Sequence, residues 1–576
     1  MLKSAASPLV QTIVPLVIGV TSHRNIPARE IEPIRQRVRE FFAQLRHDSP
    51  SLPLVVLSAL AEGGDQLVAQ EALAIGAHLI APLPLPRDLY AEDFADPVTL
   101  AEFDALCARA EVMQLPLRAG QTRHAVEPPG TARDRQYAQA GVYIVNHCHI
   151  LLAIWDGKES DRIGGTAQVV RYHLGGSMPG LVDRRREARH VLGGGDERLL
   201  YHIVCSRDET DGAVANGLQA LQALWRTAET ASAAEIGMPP EFRLMFTHMA
   251  EFNAECGKYA TAITAAAQRH RAAEGNPALS MDDVFHAADW LAMHFQKRVL
   301  LAMRATYTLA ALMGIAFALY AHLEEHNYLI YLFLLLFASG AVVVGLARHR
   351  GWHRKYLDYR ALAEFLRVQS YWRHAGIPAT GGHEFAHDNL LQRQNTELGW
   401  IRNVMRVVGL DACTDPAGHG PDALSRVIAE WVGVSGKSGQ LHYYERKTVE
   451  RSGLHHVTEM VGSLSLWGGI AISIVLAVFA HVFEQETKNT LVMFMATLSI
   501  IAAVREAYAY RKADKELMRQ YRFMQRIFTS ARTALDRSID SVEQREILIS
   551  LGEAALTEHA EWTLMQRERE VEQSKL

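Results

Sequence analysis

Three turns in the first third of this 576-residue chain place small residues beside groups able to hold a phosphate or a sugar. Gly19-Val20-Thr21-Ser22-His23-Arg24 ends one apolar run, and Glu62-Gly63-Gly64-Asp65 follows a second. Trp155-Asp156-Gly157, with Gly164-Gly165-Thr166-Ala167 shortly after, follows another. Glycines let a phosphate approach backbone N–H groups, and a helix start adds positive potential. Gly164, Gly165 and Thr166 open a helical stretch and fit that role, as do Gly63 and Gly64. Thr21, Ser22 and Arg24 could bind phosphate or ribose. The candidate ligand-binding set is Gly19, Thr21, Ser22, Arg24, Glu62, Gly63, Gly64, Asp65, Asp156, Gly164, Gly165 and Thr166. The alternative is that the glycines only serve tight strand-to-helix turns; three such turns at matching strand ends favour a cleft. No catalytic residue and no metal ligand is assigned.

These turns need elements to position them. Short apolar runs at Leu16–Val20, Leu54–Leu57, His78–Ala81, His149–Ile154 and Leu200–Val204 alternate with helical stretches that include Ile31–Leu45 and Gln66–Ile75. That alternation predicts a Rossmann-like α/β domain with a doubly wound parallel sheet, whose ligands sit beyond the carboxyl ends of the strands. A GxGxxG fingerprint is absent, so no NAD or FAD cofactor is inferred.

Farther along, apolar stretches at 299–321 and 329–347 are joined by the acidic turn His322–Tyr328. The arrangement recurs at 461–482 and 490–504 around Phe483–Asn489. The first three reach the length that crosses a hydrocarbon core of about 30 Å; Thr490–Val504 is short and would need local thinning or polar ends. The alternative is four buried core helices. Lys297, Arg298 and Arg304 flank the first stretch; Arg348, Arg350, Arg354 and Lys355 follow the second. Arg446, Lys447 and Arg451 precede the third, and Arg505, Arg511 and Lys512 follow the fourth. The turns instead carry Glu324, Glu325, Glu484 and Glu486. By the positive-inside rule both hairpins should cross with their acidic turns outside. The expectation is a multi-pass inner-membrane protein with both termini cytoplasmic. After each hairpin an amphipathic helix follows, with Trp352, Tyr356, Tyr359, Leu362, Leu366 and Gln369 in the first and Leu517, Tyr521, Met524 and Phe528 in the second. Their three- and four-residue steps build one apolar face. This diverged repeat leads us to expect a homo-oligomer or pairing within the chain.

A net charge of −5 argues against a general nucleic-acid partner. Five dispersed cysteines without CxxC spacing read as reduced thiols, not a disulfide framework or zinc ribbon. Residues 9–20 are apolar but short and interrupted by Gln11 and Pro15, so they read as leading into a buried strand rather than as a signal peptide. His383-Glu-Phe-Ala-His387 matches HExxH, but Gly381-Gly382 precede it and 26 histidines make chance matches easy. Gly436-Lys437-Ser438 lacks the P-loop glycine five positions earlier, where Trp431 stands.

The soluble segments resemble the SLOG superfamily, a Rossmann-like group. The resemblance rests on Gly19–Arg24, Ser58-Ala-Leu-Ala-Glu-Gly-Gly-Asp65, Tyr90-Ala-Glu-Asp-Phe94, and Leu152-Ala-Ile-Trp-Asp-Gly157 with Gly164-Gly-Thr-Ala167, about a third of the chain. It implies binding of a nucleotide-derived ligand. Enzymatic members cleave the base from nucleoside monophosphates; others are thought to sense nucleotide signals in bacterial conflict systems. The enzymatic motif PGGxGTxxE carries a catalytic Glu. Here Gly164-Gly-Thr-Ala-Gln-Val169 lacks one Gly and has Val169 where that Glu should be, and Gln168 is no acid or base. Binding without hydrolysis is the reading, with Glu62, Asp65 or Asp156 left open as substitutes. The membrane part resembles a duplicated SLATT domain, through the hairpin followed by Leu357-Asp-Tyr-Arg-Ala-Leu-Ala-Glu-Phe-Leu-Arg367 and through Leu398-Gly-Trp-Ile-Arg402. Such domains are proposed to form pores or perturb membranes. The plan expected is a SLOG-like domain at 1–210, a helical connector at 211–290, a first hairpin with cytoplasmic helices at 291–410, a linker at 411–440 and a second hairpin with helices at 441–576. The function expected is a nucleotide-sensing effector that forms a pore or perturbs the inner membrane in bacterial antiphage defence, with a membrane-anchored nucleotide hydrolase or a scaffolding membrane protein as alternatives.

Overall fold

The computed structural model describes residues 14–574 apart from 119, 176, 179–180, 184–197, 210–211, 228–236, 275–282, 323–325, 378–397, 409, 411–420, 480 and 513. The HExxH motif, Glu324 and Glu325 lie outside the described residues. The elements begin β1 (Leu16–Ser22), α1 (Ala28–Asp48), β2 (Leu54–Leu57), α2 (Gly64–Ala74), β3 (His78–Leu83), α3 (Arg87–Ala91), α4 (Pro97–Cys107) and β4 (Glu111–Gln114). They continue α5 (Arg123–Val126), α6 (Thr131–His147), β5 (Ile150–Trp155), α7 (Thr166–Gly175), β6 (Ser177–Met178), β7 (Val182–Asp183), β8 (Leu199–Val204) and β9 (Ala223–Arg226). The rest is helical: α8 (Pro240–Lys258), α9 (Ala260–Glu274), α10 (Asp283–His322), α11 (Tyr328–His349), α12 (Trp352–His374), α13 (Gly399–Val407) and α14 (Pro421–Val427). A π-helical turn, Ile428–Val432, precedes α15 (Gly439–Phe479), α16 (Gln485–Lys512), α17 (Asp514–Arg537) and α18 (Ser541–Ser574).

Two compact units result. The first comprises Met1–Ala287 and Glu364–Gly420, the second Ala288–Ala363 and Pro421–Leu576. In the first, seven strands run in the order β4-β3-β2-β1-β5-β8-β9. Six are parallel, and β5 is buried along its whole length because helices cover both faces of such a sheet. The register pairs Leu16 with Leu54 and Ile18 with Ile150.

The sheet is mixed, which corrects the expectation of a wholly parallel one. β9 returns antiparallel to β8, inside a segment that reads as helical from its composition. The two strands meet where Leu221 N–H donates to Val204 O (2.7 Å) and Val204 N–H to Gln222 O (2.8 Å). No crossover helix is needed for an antiparallel return. Trp225 anchors the strand, its ring centroid 4.7 Å from that of Tyr201, which stacks 4.4 Å from Phe41 of α1. β4 carries no apolar run either; only Met113 is buried along this edge strand.

One helix of the first unit comes from far down the chain. α13, whose Trp400 is fully buried 5.9 Å from Phe252 of α8, packs with the α/β elements. His149 Nδ1 accepts from Val17 N–H (3.1 Å) and its Nε2 donates to Asn403 O (2.8 Å). That pairing requires the neutral ring, and burial pushes its pKa down to about 3. The Leu398–Arg402 segment, grouped from sequence with the first hairpin, thus belongs to the α/β unit.

The second unit is helical. Among the described residues, four helical stretches are long and apolar enough to cross a membrane: Asp283–His322, Tyr328–His374, Glu459–Phe479 and Gln485–Arg537. No more than 17% of any of their apolar windows is buried inside the protein, so the rest of the chain does not cover them. Leu301, Tyr331, Val342 and Trp467 are each more than 60% exposed. Glycines set the approach of α15 to α16: a Cβ on Gly462 would stand 2.8 Å from Arg505 Cδ, and one on Gly468 3.3 Å from Leu498 Cδ1. Asp358 of α12 is fully buried, bonded by Arg567 of α18 and 3.4 Å from Arg354 Nη1. Asp540 caps α18 by accepting from Val542 N–H (3.1 Å), while Ser538 Oγ donates to Glu543 (2.7 Å).

Candidate functional site at the strand ends

β1 sits at the centre of the sheet with β2 on one side and β5 on the other. The chain winds outward through β2, β3 and β4, then returns to begin the other half at β5. The β1/β5 junction is therefore the topological switch point, where crevices open in such sheets.

Several candidate residues converge there. Ser22, the last residue of β1, donates from Oγ to Asp65 Oδ1 at 2.6 Å. Its carbonyl accepts from Thr166 Oγ1 at 2.7 Å, which brings the start of α7 to the end of β1. Thr21, just before it, is 9% exposed. His23 follows; its N–H donates to Ile154 O (3.0 Å) and its Nε2 stands 3.1 Å from Asp156 Oδ1. Asp156 also accepts from Lys158 N–H (3.0 Å), an Asx turn that holds the carboxylate at the end of β5. Burial lowers the His23 pKa, outweighing the raising effect of Asp156.

Asp65 is the most perturbed acid of the group. Burial lifts its pKa to about 6, opposed by the Ser22 hydroxyl, the Arg24 charge, the Ala61 amide and Ser58. The exposed Arg24 is close enough to act electrostatically on both Asp65 and the buried Tyr90. A buried carboxyl of that pKa, facing a cation and a hydroxyl, can either accept or donate a hydrogen bond near neutral pH.

The glycines divide into two kinds. Gly63 (φ 89°) and Gly64 lie where the turn after β2 presses on the end of β1: a Cβ on Gly63 would collide with the Arg24 carbonyl, and one on Gly64 would lie 2.6 Å from Ser22 Cβ. They permit close approach of two loops, so their need for glycine is met by the fold itself. Gly164 (φ 75°) turns beneath α6, where a Cβ would stand 2.9 Å from Ala138 N, and its N–H donates to Gln168 Oε1 at 2.7 Å. Gly165 is the more open; the nearest atom to a Cβ there would be the Arg162 carbonyl oxygen, at 3.3 Å. Gly19 lies inside β1, under Ile144 of α6 and Cys148 just after it, away from the strand ends. Glu62 turns toward α4 and accepts from Thr99 Oγ1 (3.2 Å) rather than joining Asp65.

Val169, at the position of the enzymatic glutamate in the resemblance, faces α6: a Cβ on Gly141 would stand 2.7 Å from its Cγ2. Sequence reasoning passed over His23, although it lies within the turn that carries the candidates. It also missed the network behind Tyr90. Arg133 of α6 donates to Leu89 O (2.9 Å), Glu127 O (2.7 Å), Val126 O (3.2 Å), Asp93 Oδ1 (2.8 Å) and Tyr137 Oη (2.8 Å), and the Tyr137 hydroxyl donates to Asp93. The pattern Tyr90-Ala-Glu-Asp-Phe94 was the available signal. All donors of Arg133 are spent on the protein, so it braces α3 instead of meeting a ligand.

Among the described residues no group of three or more His, Cys, Asp or Glu side chains is placed to hold a metal ion. The chain matches no family model, and no curated protein matches it.

Proposed function

We propose that this protein is a membrane-embedded effector that binds a nucleotide-type ligand at the β1/β5 switch point of its α/β unit. The observation that carries the reading is the convergence of Ser22, His23, Asp65, Asp156 and the Thr166 helix start at that crevice. Hydroxyls, a cation at Arg24 and a helix N-terminus suit a phosphate, and carboxylates suit a ribose diol. The resemblance to SLOG domains points to the same ligand class. Four helices able to cross a membrane in the same chain, with the resemblance to duplicated SLATT hairpins, support an output at the inner membrane. Two hairpins, with acidic turns outside and the soluble parts cytoplasmic, form a pore or disorder the bilayer when ligand is bound, in an oligomer and in the setting of antiphage defence. For this coupling the ligand binds the active arrangement more tightly than the resting one.

The test is thermal stabilisation of the detergent-purified protein by ADP-ribose, cyclic ADP-ribose isomers and cyclic oligonucleotides, with product analysis. A ligand that stabilises the protein, remains intact and triggers leakage of loaded liposomes supports the effector. Gly165→Glu should abolish that stabilisation; if it does not, the crevice is elsewhere.

A second reading, a membrane-anchored nucleotide hydrolase, is favoured by one observation: the Asp65 carboxyl at about 6 is suited to general acid catalysis near neutral pH. Release of free base from a nucleoside monophosphate, lost in Asp65→Asn, would select it.

A further inference from the structure

The two candidate hairpins differ in how their flanking cations are partnered. Between Asp289 and Asp358 the sequence holds only two carboxylates, Glu324 and Glu325, both beyond the last residue of α10, His322. Arg304 lies about 27 Å of helix from His322, the end of α10. Lys297, Arg304, Arg348 and Arg350 are all exposed, and none of them makes an ion pair among the described residues. Arg298 stacks its guanidinium 5.5 Å over the Trp352 ring, which brings the start of the apolar part of α10 to the junction of α11 and α12. The five cations thus flank one end of the first pair of apolar helices. On α15 and α16 the corresponding groups are largely engaged. Lys447 bonds Glu450 (2.9 Å), Arg505 bonds Glu506 (2.7 Å), and Arg451, Arg511 and Lys512 also have partners; Arg446 has none among the described residues.

We propose that the unpaired cations at the start of the apolar part of α10 and at the end of α11 form a binding collar for the headgroups of anionic phospholipids, and that the second helix pair carries no equivalent collar. An exposed guanidinium beside a long apolar helix face, with an indole at the same level, matches a lipid whose phosphate and acyl chains must be met together. Exposed cations without protein partners keep their full attraction for a lipid phosphate, whereas a carboxylate neighbour cancels it. The proposal rests on the membrane reading of the second unit.

The test uses the full-length protein reconstituted in vesicles, with quenching of its tryptophan fluorescence by brominated phosphatidylglycerol and by brominated phosphatidylcholine. The wild type should prefer phosphatidylglycerol, and Arg348→Gln with Arg350→Gln should cut that preference roughly fivefold per cation. Lys447→Gln with Lys512→Gln should leave it unchanged. High salt should weaken the preference, and inorganic phosphate should not compete. An unchanged preference in the Arg348/Arg350 variant, an equal loss in the Lys447/Lys512 variant, or displacement by inorganic phosphate would overturn the collar. Alkaline carbonate extraction separates the two failures: protein that washes off the vesicles sinks the membrane reading, whereas retained protein without a lipid preference sinks only this inference. Unchanged circular dichroism and elution volume show that the variants fold.

Discussion

Ser22 Oγ donates to Asp65 Oδ1 across 2.6 Å, tying the end of β1 to the start of α2 43 residues later. The contact holds two loops at the switch point in register, and it joins them through an acid that is costly to ionise. Asp65 goes from an ordinary pKa of 3.8 in the unfolded chain to about 6 when folded. The folded state therefore holds the proton longer than the unfolded chain does. Stability is unaffected below the lower value, falls as pH rises through the interval, and stays reduced above about 6. The difference of about two units amounts to roughly 3 kcal/mol as an upper figure. Asp65→Asn should flatten the fall in stability between these two pH values, as read from melting temperature against pH; a parallel curve for wild type and variant would contradict the assignment.

The glycine at 63 is required by contact as well as by its backbone angle. Gly76 also has a positive φ, 76°, but nothing lies within 4 Å of a Cβ there. Gly76→Ala should cost about 1 kcal/mol, the backbone penalty alone. Gly63→Ala adds a collision with the Arg24 carbonyl and should cost roughly 2–4 kcal/mol. Comparing their melting temperatures isolates the collision, and equal losses would mean that the two loops can part cheaply.

His149 couples β1 to α13 as a neutral ring. Its folded pKa, about 3, lies below the ordinary 6.5, so the unfolded chain binds the proton more readily. The stability this group contributes is fully present above pH 6.5 and is lost as pH falls toward 3. His149→Leu strands the Val17 N–H and the Asn403 carbonyl and should cost about 2–4 kcal/mol at neutral pH. The same variant should lose less than the wild type on acidification. Melting curves across the pH range check both effects.

On the proposed membrane reading, lipid covers the exposed apolar helices. Val342 of α11 is 68% exposed in a stretch without charge. Val342→Asp should oppose insertion by about 3 kcal/mol, and alkaline carbonate should then release a measurable share of the protein. A buried soluble helix would instead lose its fold and aggregate.

Much of the sheet is legible in the chain. The five runs that became β1, β2, β3, β5 and β8 are apolar because a two-sided sheet buries both faces of its inner strands. β4 and β9 lack that mark. They are edges, with exposed positions at Glu111, Val112 and Gln114 in β4 and only two buried residues in β9. The site was legible as turns after strands, yet its membership was not. Gly19 is one more glycine in the sequence but lies packed under Ile144 and Cys148, and Glu62 is one more acid but turns toward α4.

Sequence alone determined the apolar strand runs, the four long apolar helices and the small polar residues at strand ends, because burial and membrane length are properties of local composition and spacing. Only the tertiary structure decided that His23 meets Asp156, that Asp65 is bonded by Ser22, and that α13 closes over His149. Each of those contacts joins residues from separate parts of the chain. Their distances follow from the sheet order and the packing of helices on it, which no local pattern encodes.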